Sequence, residues 1–140
     1  MLVWSSQYTT GVPLVDSQHK VLFENINKLE ELLHEQPIRR EEVDRLLHFL
    51  DSYSTTHFHF EEQCMQRHNC SAHRENMCTH AEFRETLAVF KQEYLEQGPT
   101  VALLSKLHAM MSSWIHNHVL NVDVKLRSAV TNVVVSSPQT

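Results

Sequence analysis

Residues 43–65 read VDRLLHFLDSYSTTHFHFEEQCM. Val43, Leu46, Leu47, Leu50, Tyr53, His57, Phe60 and Glu61 recur every three or four residues, which is the spacing of one helix face. The stripe is apolar at its start and ends in an imidazole and a carboxylate. His57 and Glu61 are four residues apart, so they differ by about 40° around the axis and about 6 Å along it. On one face, the imidazole can bind a metal ion while the carboxylate reaches toward a second. Among 11 histidines in 140 residues, one such pair carries little weight alone.

The flanking segments repeat the helical period. A first helix is expected from a cap at Asp16 or Ser17 to about Gln36, with Val21, Leu22, Ile26, Leu29, Leu32 and Leu33 on one side. Residues 1–16 carry Gly11 and Pro13 and read as an extended arm, held to the body by Trp4 and Tyr8. Pro37 suits the start of the second helix. A break near Asn69 to Ser71 precedes a third, with Met77, His80, Phe83, Leu87, Phe90 and Tyr94 inward. Gly98-Pro99 stops it, the glycine taking a left-handed cap. A fourth begins near Thr100 and carries Val101, Leu104, Leu107, Met111, Trp114, Ile115, His118 and Leu126. The expected fold is all-α: an antiparallel up-down four-helix bundle with an extended N-terminal arm. From Ser128, SAVTNVVVSSPQT is β-branched and then polar, so 128–140 read as a tail or linker, with a short docking strand as the alternative.

Composition narrows the function. The length suits one domain, placed at residues 1–127. Two glycines leave little room for phosphate loops or tight hairpins. A net charge of −5 with mixed signs offers no basic face to nucleic acid. No apolar run approaches the roughly 20 residues needed to span a membrane. MLVWSSQYTT lacks the basic and apolar regions of a signal peptide, so a cytoplasmic location is expected. Cys64, Cys70 and Cys78 form no Cys-x-x-Cys pair and read as reduced thiols packed in or beside a helix pair, although a soft-metal site with Met65, His68, His73 and Met77 is conceivable.

Beyond His57 and Glu61, the candidate metal ligands are His19, His80, His118 and Asp123. Nitrogen and oxygen donors presented from several helices to one bundle core suit a carboxylate-bridged two-metal centre. His118 and Asp123 are five apart, about 140° around an undistorted helix, which is poor for sharing a face.

Four segments in order, WSSQYTTGVPLVDSQHKVLFENINKL, YSTTHFHFEEQCM, HAEF and WIHNHVLNVD, resemble bacterial hemerythrins over roughly residues 4–127. The resemblance implies two iron ions joined by an oxo or hydroxo bridge inside a four-helix bundle, with O2 or another small diatomic or anion as partner. It implies that His19 and His57 serve the O2-binding iron, that Glu61 and Asp123 bridge, and that His80 and His118 serve the other iron. The position of that iron's third histidine, four before His80, holds Asn76. An open or water-filled position is expected there, then a weak Asn76 oxygen ligand, then recruitment of His73. His73 lies seven before His80, about 10 Å along a helix, too far for two bonds of about 2.1 Å without distortion. Loss of that iron is the remaining outcome.

Harder oxygen donors favour ferric over ferrous iron, so Asn76 implies rapid oxidation by O2 and poor reversible carriage. The expected function is an O2- or redox-sensing domain, with no catalytic residue of its own, signalling to a possible fused C-terminal module such as a diguanylate cyclase. The alternatives are a stand-alone O2 binding or storage protein and a di-iron peroxidase or oxidase. His34, His48, His59, His68 and His108 are expected on solvated faces, His116 to point away from the centre, and Glu62 to be a surface charge or a support behind a ligand. Trp114, Phe58, Phe60, Phe83 and Ile115 read as core residues, some of which would keep a centre dry.

Overall fold

Proline at the first helical turn needs no hydrogen-bond acceptor and already has a helical φ. α1, Pro13–Leu33, starts on Pro13, ahead of the expected cap. Asp16 lies in the first turn instead, where its Oδ1 accepts hydrogen bonds from the Thr10 amide and hydroxyl, both at 2.8 Å, and suits the positive helix end. The computed structural model describes residues 2–35 and 37–136, with side chains as far as Val130. α1 ends three residues before Gln36, which lies outside the described residues. α2, Arg40–Arg67, begins three residues beyond Pro37 rather than on it. A turn with Asn69 at φ 52° leads to α3, His73–Gln97. Gly98 follows at φ 76°, ψ −170°, a backbone region open to little but glycine and different from the expected left-handed cap. α4, Val101–His118, is capped by Thr100, whose hydroxyl accepts from the Leu103 amide at 3.1 Å.

Most of each apolar stripe buries as the periodicity predicts, but Val21, Met77 and Val101, expected inward, are exposed, each lying at the margin of its stripe where the helix face turns to solvent. α1 packs against α2 and α4, and α3 against the same two, giving the antiparallel four-helix bundle. Its larger core includes Leu22, Ile26, Leu29, Leu50, Leu104, Leu107 and Ile115. A smaller cluster gathers Val15, Cys64, Met65, Cys70, Ala72, Val122 and Leu126. Between the two lies a buried polar layer: His19 separates Val15 from Leu22, Glu61 separates Phe58 from Cys64, and His80 separates Ala72 from Phe83. Apolar packing therefore closes over the polar layer from both ends.

The helix after His118 is not regular. Val119–Asp123 form one π-helical turn, and the Val124 amide donates to the Val119 carbonyl five residues back at 3.0 Å. α5, Lys125–Ser136, then continues, so residues 128–136 are helical and do not form the docking strand given as the alternative. Ala129 and Val130 pack against the smaller cluster, which gives the β-branched run a helical neighbour to lean on. Residues 137–140 lie outside the described ones.

The arm is tied down rather than free. The Asn27 amide holds both backbone groups of Leu2, at 2.9 and 2.8 Å. Ser6–Tyr8 form a 3-10 turn that buries Tyr8 against Phe23 and Trp4. Arg127 of α5 donates to the carbonyls of Thr9 and Ser6, and the Tyr8 hydroxyl meets His116 Nδ1 at 2.8 Å. Cys64 and Cys70 are buried free thiols, and Cys78 is an exposed one. Among the described residues, no helix is long and apolar enough to cross a membrane.

Candidate metal centre

Each helix presents one part of the polar layer. α1 supplies His19, α2 supplies His57 and Glu61, α3 supplies Asn76 and His80, and α4 with its π turn supplies His118 and Asp123. All seven are buried, Glu61, Asn76 and His80 with no exposed surface. The ligand atoms fall into two groups that share Glu61: His19, His57 and Glu61 in one, and Glu61, His80, His118 and Asp123 in the other.

The carboxylate oxygens divide between the two pockets. Glu61 Oε2 lies 2.9 Å from His19 Nε2 and 3.5 Å from His57 Nε2, while Oε1 lies 3.1 Å from His80 Nε2. Asp123 does the same, with Oδ2 at 3.1 Å from His19 Nε2 and Oδ1 at 2.9 Å from His118 Nε2. Two nitrogens and two oxygens thus converge on each pocket, and each carboxylate spans both. The π turn makes this possible. Its hydrogen bonds reach one residue further than those of an α-helix, and residues five apart come to share a face.

Behind the rings, three of the four imidazoles are held by their other nitrogen. His57 Nδ1 donates to Gln18 Oε1, and His80 Nδ1 donates to Glu62 Oε2 at 2.9 Å. The Thr79 hydroxyl donates to the Asn76 carbonyl at 3.1 Å, so its oxygen accepts from His118 Nδ1 at 3.0 Å. Each of these bonds holds a ring proton on Nδ1 and turns Nε2 inward, where it can carry a proton or bind a metal ion. The Nε2 atoms of His80 and His118 lie 3.1 Å apart, a distance at which two lone pairs need a proton or a cation between them. His19 Nδ1 has no hydrogen-bond partner.

Aromatic rings pack the periphery. Phe58 stacks on His80 at 3.8 Å, Trp114 on His118 at 4.4 Å and Tyr53 on His57 at 4.5 Å, while Trp4 lies 6.4 Å from His19. Tyr53 and Trp114 each precede their histidine by four residues, a spacing visible in the sequence whose meaning was not. Gln18 and Thr79 directly precede ligands, and only the folded arrangement shows that they support rings on other helices. A cleft of about 780 Å3 between α3 and α4 has Thr79, Trp114 and His118 among its lining residues.

The electrostatics favour positive charge at the centre, whether proton or metal ion. Burial works against the charge on Glu61, yet the surrounding imidazoles of His118, His19, His57 and His80 hold it well below the usual carboxylate range. Burial likewise opposes charge on His19, but Asp123 and Glu61 lift it to about 10. His118 rises to about 9 against the same penalty, chiefly through Asp123. His57 is lowered by burial. Both Asp123 oxygens, Glu61 Oε2 and Asn76 Oδ1 are buried without a well-directed hydrogen bond. Unsatisfied buried oxygens beside inward nitrogens match the donor set of a transition-metal pair, so the residues present fit such a group.

Asn76 and His73 differ in placement. Asn76 Nδ2 donates to Glu61 Oε1 at 3.1 Å, leaving its own oxygen unpaired at the centre's edge. His73 is half-buried at the first residue of α3 and belongs to neither ligand group. His34, His48, His59 and His116 are exposed, and His68 and His108 are half-buried.

The family described as Hemerythrin HHE cation binding domain matches residues 10–127. A bacteriohemerythrin of Pseudomonas paraeruginosa is 29% identical over 131 residues, covering 92% of this chain and 81% of that protein. One from Stenotrophomonas maltophilia is 26% identical over 126 residues, 88% of this chain and 77% of that protein. One from Methylococcus capsulatus is 23% identical over 124 residues, 88% and 92% of the two chains.

Proposed function

The chain belongs to the hemerythrin family of HHE cation-binding domains, and from that premise we propose that it is a non-haem di-iron domain that senses O2 or redox state. The observation that carries the reading is the division of Glu61 and Asp123, one oxygen of each toward each pocket. Two irons bound there would supply electron exchange with O2 or a similarly small oxidant. The protein's own residues do the rest. His19 and His57 would hold one iron and His80 and His118 the other, with Glu61 and Asp123 each offering one oxygen to either pocket. Gln18, Glu62 and Thr79 fix the ring tautomers, and Phe58, Tyr53 and Trp114 limit water at the ligand atoms.

Asn76 favours sensing over storage. An amide oxygen or a water in place of an imidazole favours the ferric state, so oxidation in air is fast and reversible O2 carriage poor. A change of charge at the centre would be felt at Asp123, which stands two residues before α5, and α5 would be the element that carries it away from the bundle core.

The test is iron content with the visible spectrum as purified, after anaerobic reduction and after return to air. The reading requires about two irons per chain and charge-transfer bands that return at once. Asn76→His should slow that return. A spectrum distinct from the oxidised form that persisted in air and reversed under vacuum would make the wild-type protein a carrier. One iron or none would overturn the two-metal reading.

A further inference from the structure

Glu62 neighbours Glu61 in sequence, and of the two roles expected for it, a surface charge or a support behind a ligand, its inward-turned carboxylate takes the second. It is only 15% exposed, and its Oε2 accepts from Nδ1 of a His80 with no exposed surface. The other two groups that support a ligand imidazole, Gln18 and Thr79, are neutral. The one negative charge is therefore placed behind a ring of the pocket that carries Asn76.

The two pockets are otherwise alike, each with two imidazoles and one oxygen from each carboxylate. The second pocket's neighbour Asn76 brings an unpaired amide oxygen, a weak donor. A carboxylate that draws on the Nδ1 proton leaves more electron density at Nε2, and it adds negative charge close to a cation in the pocket. Burial strengthens both effects, since little water screens the pair.

We infer that Glu62 is a positioning residue that compensates for Asn76, strengthening His80 as a donor so that this pocket still retains a metal. The inference rests on the two-metal reading. It also accounts for a carboxylate held inward at a position where an orienting amide such as that of Gln18 would satisfy the ring's hydrogen bond equally well.

Glu62→Gln tests it, because the amide keeps an acceptor of the same shape and removes only the charge. Chelator-treated protein is titrated with cobalt(II), followed by calorimetry and by the metal's visible absorption, with circular dichroism melts confirming that each variant folds. The wild type should take two cobalt ions. In Glu62→Gln the first should bind unchanged and the second about 10- to 100-fold more weakly. Adding Asn76→His should shrink that penalty to about threefold or less, a non-additivity that a purely orienting role would not produce. Thr79→Val, which removes a neutral support, should show a penalty insensitive to residue 76.

Two outcomes overturn the inference alone: wild-type affinity in Glu62→Gln, or an equal penalty with asparagine and histidine at position 76. A wild type that takes one cobalt sinks the two-metal reading, and the inference with it.

Discussion

At the scale of the residue, Glu61 is the position on which both pockets depend, because its oxygens are shared between them. Glu61→Ala should therefore abolish binding of both metals, whereas His57→Ala should leave one, as counted by metal analysis of the purified variants. The same residues set a pH response. In chelator-treated protein His19 and His118 hold protons up to about 10 and about 9, above the ordinary 6.5. Their contribution to stability is whole below pH 6.5 and is lost as pH rises through those values. Glu61, held below 4.5, contributes above that pH and ceases to as pH falls further. The melting temperature of chelator-treated protein should fall between pH 6.5 and pH 10, while cobalt affinity rises over the same range because metal displaces the two protons. The six candidate ligands were legible because each stands in a segment whose order resembles a known family. Gln18 and Thr79 were not legible, since each bonds a ring 39 positions away and no local pattern announces such a pairing.

Among the elements, the helical stripes of α1 to α4 were readable because a 3.6-residue period leaves a regular mark. Ends were less so: Pro13 opens α1 where an acidic cap was the expected signal, and α2 waits until Arg40. The π turn escaped the reading altogether, since periodicity analysis assumes a constant period. His118 and Asp123 looked mismatched for that reason. A single π turn behaves as one residue inserted into an α-helix. Removing the exposed Asn121 should therefore restore α-helical hydrogen bonding while leaving His118 and the aspartate on one face and α5 in its present orientation. We expect a folded variant that still binds two metals, checked by helical content and cobalt stoichiometry. An insertion at the same place should instead turn α5 by about 100° and detach Leu126 and Arg127. At the end of α3, Gly98→Ala meets no close atom, its nearest neighbour being Arg40 Nη1 at 3.9 Å, so only backbone strain acts. That should cost about 1–3 kcal/mol in a denaturant titration.

Across the whole molecule, the arm, α1 and α5 form one closure around the centre. Thr10 is held by Asp16, and Arg127 and His116 anchor the arm to the C-terminal half. Arg127→Ala should lower stability by about 1 kcal/mol, less than the sum of its hydrogen bonds suggests, because water replaces them at this exposed site. The β-branched run gave no helical signal for a related reason: Ala129 and Val130 gain their helical setting from packing against the smaller core cluster, not from their own propensity. The chain has two tryptophans, and the fold places one beside each pocket, Trp4 near His19 and Trp114 stacked on His118. The protein consequently carries a separate intrinsic fluorophore for each metal position. Quenching in Trp4→Phe would report the pocket of His80 and His118, and quenching in Trp114→Phe that of His19 and His57. The order in which the two sites fill can thus be watched by emission alone, without a label.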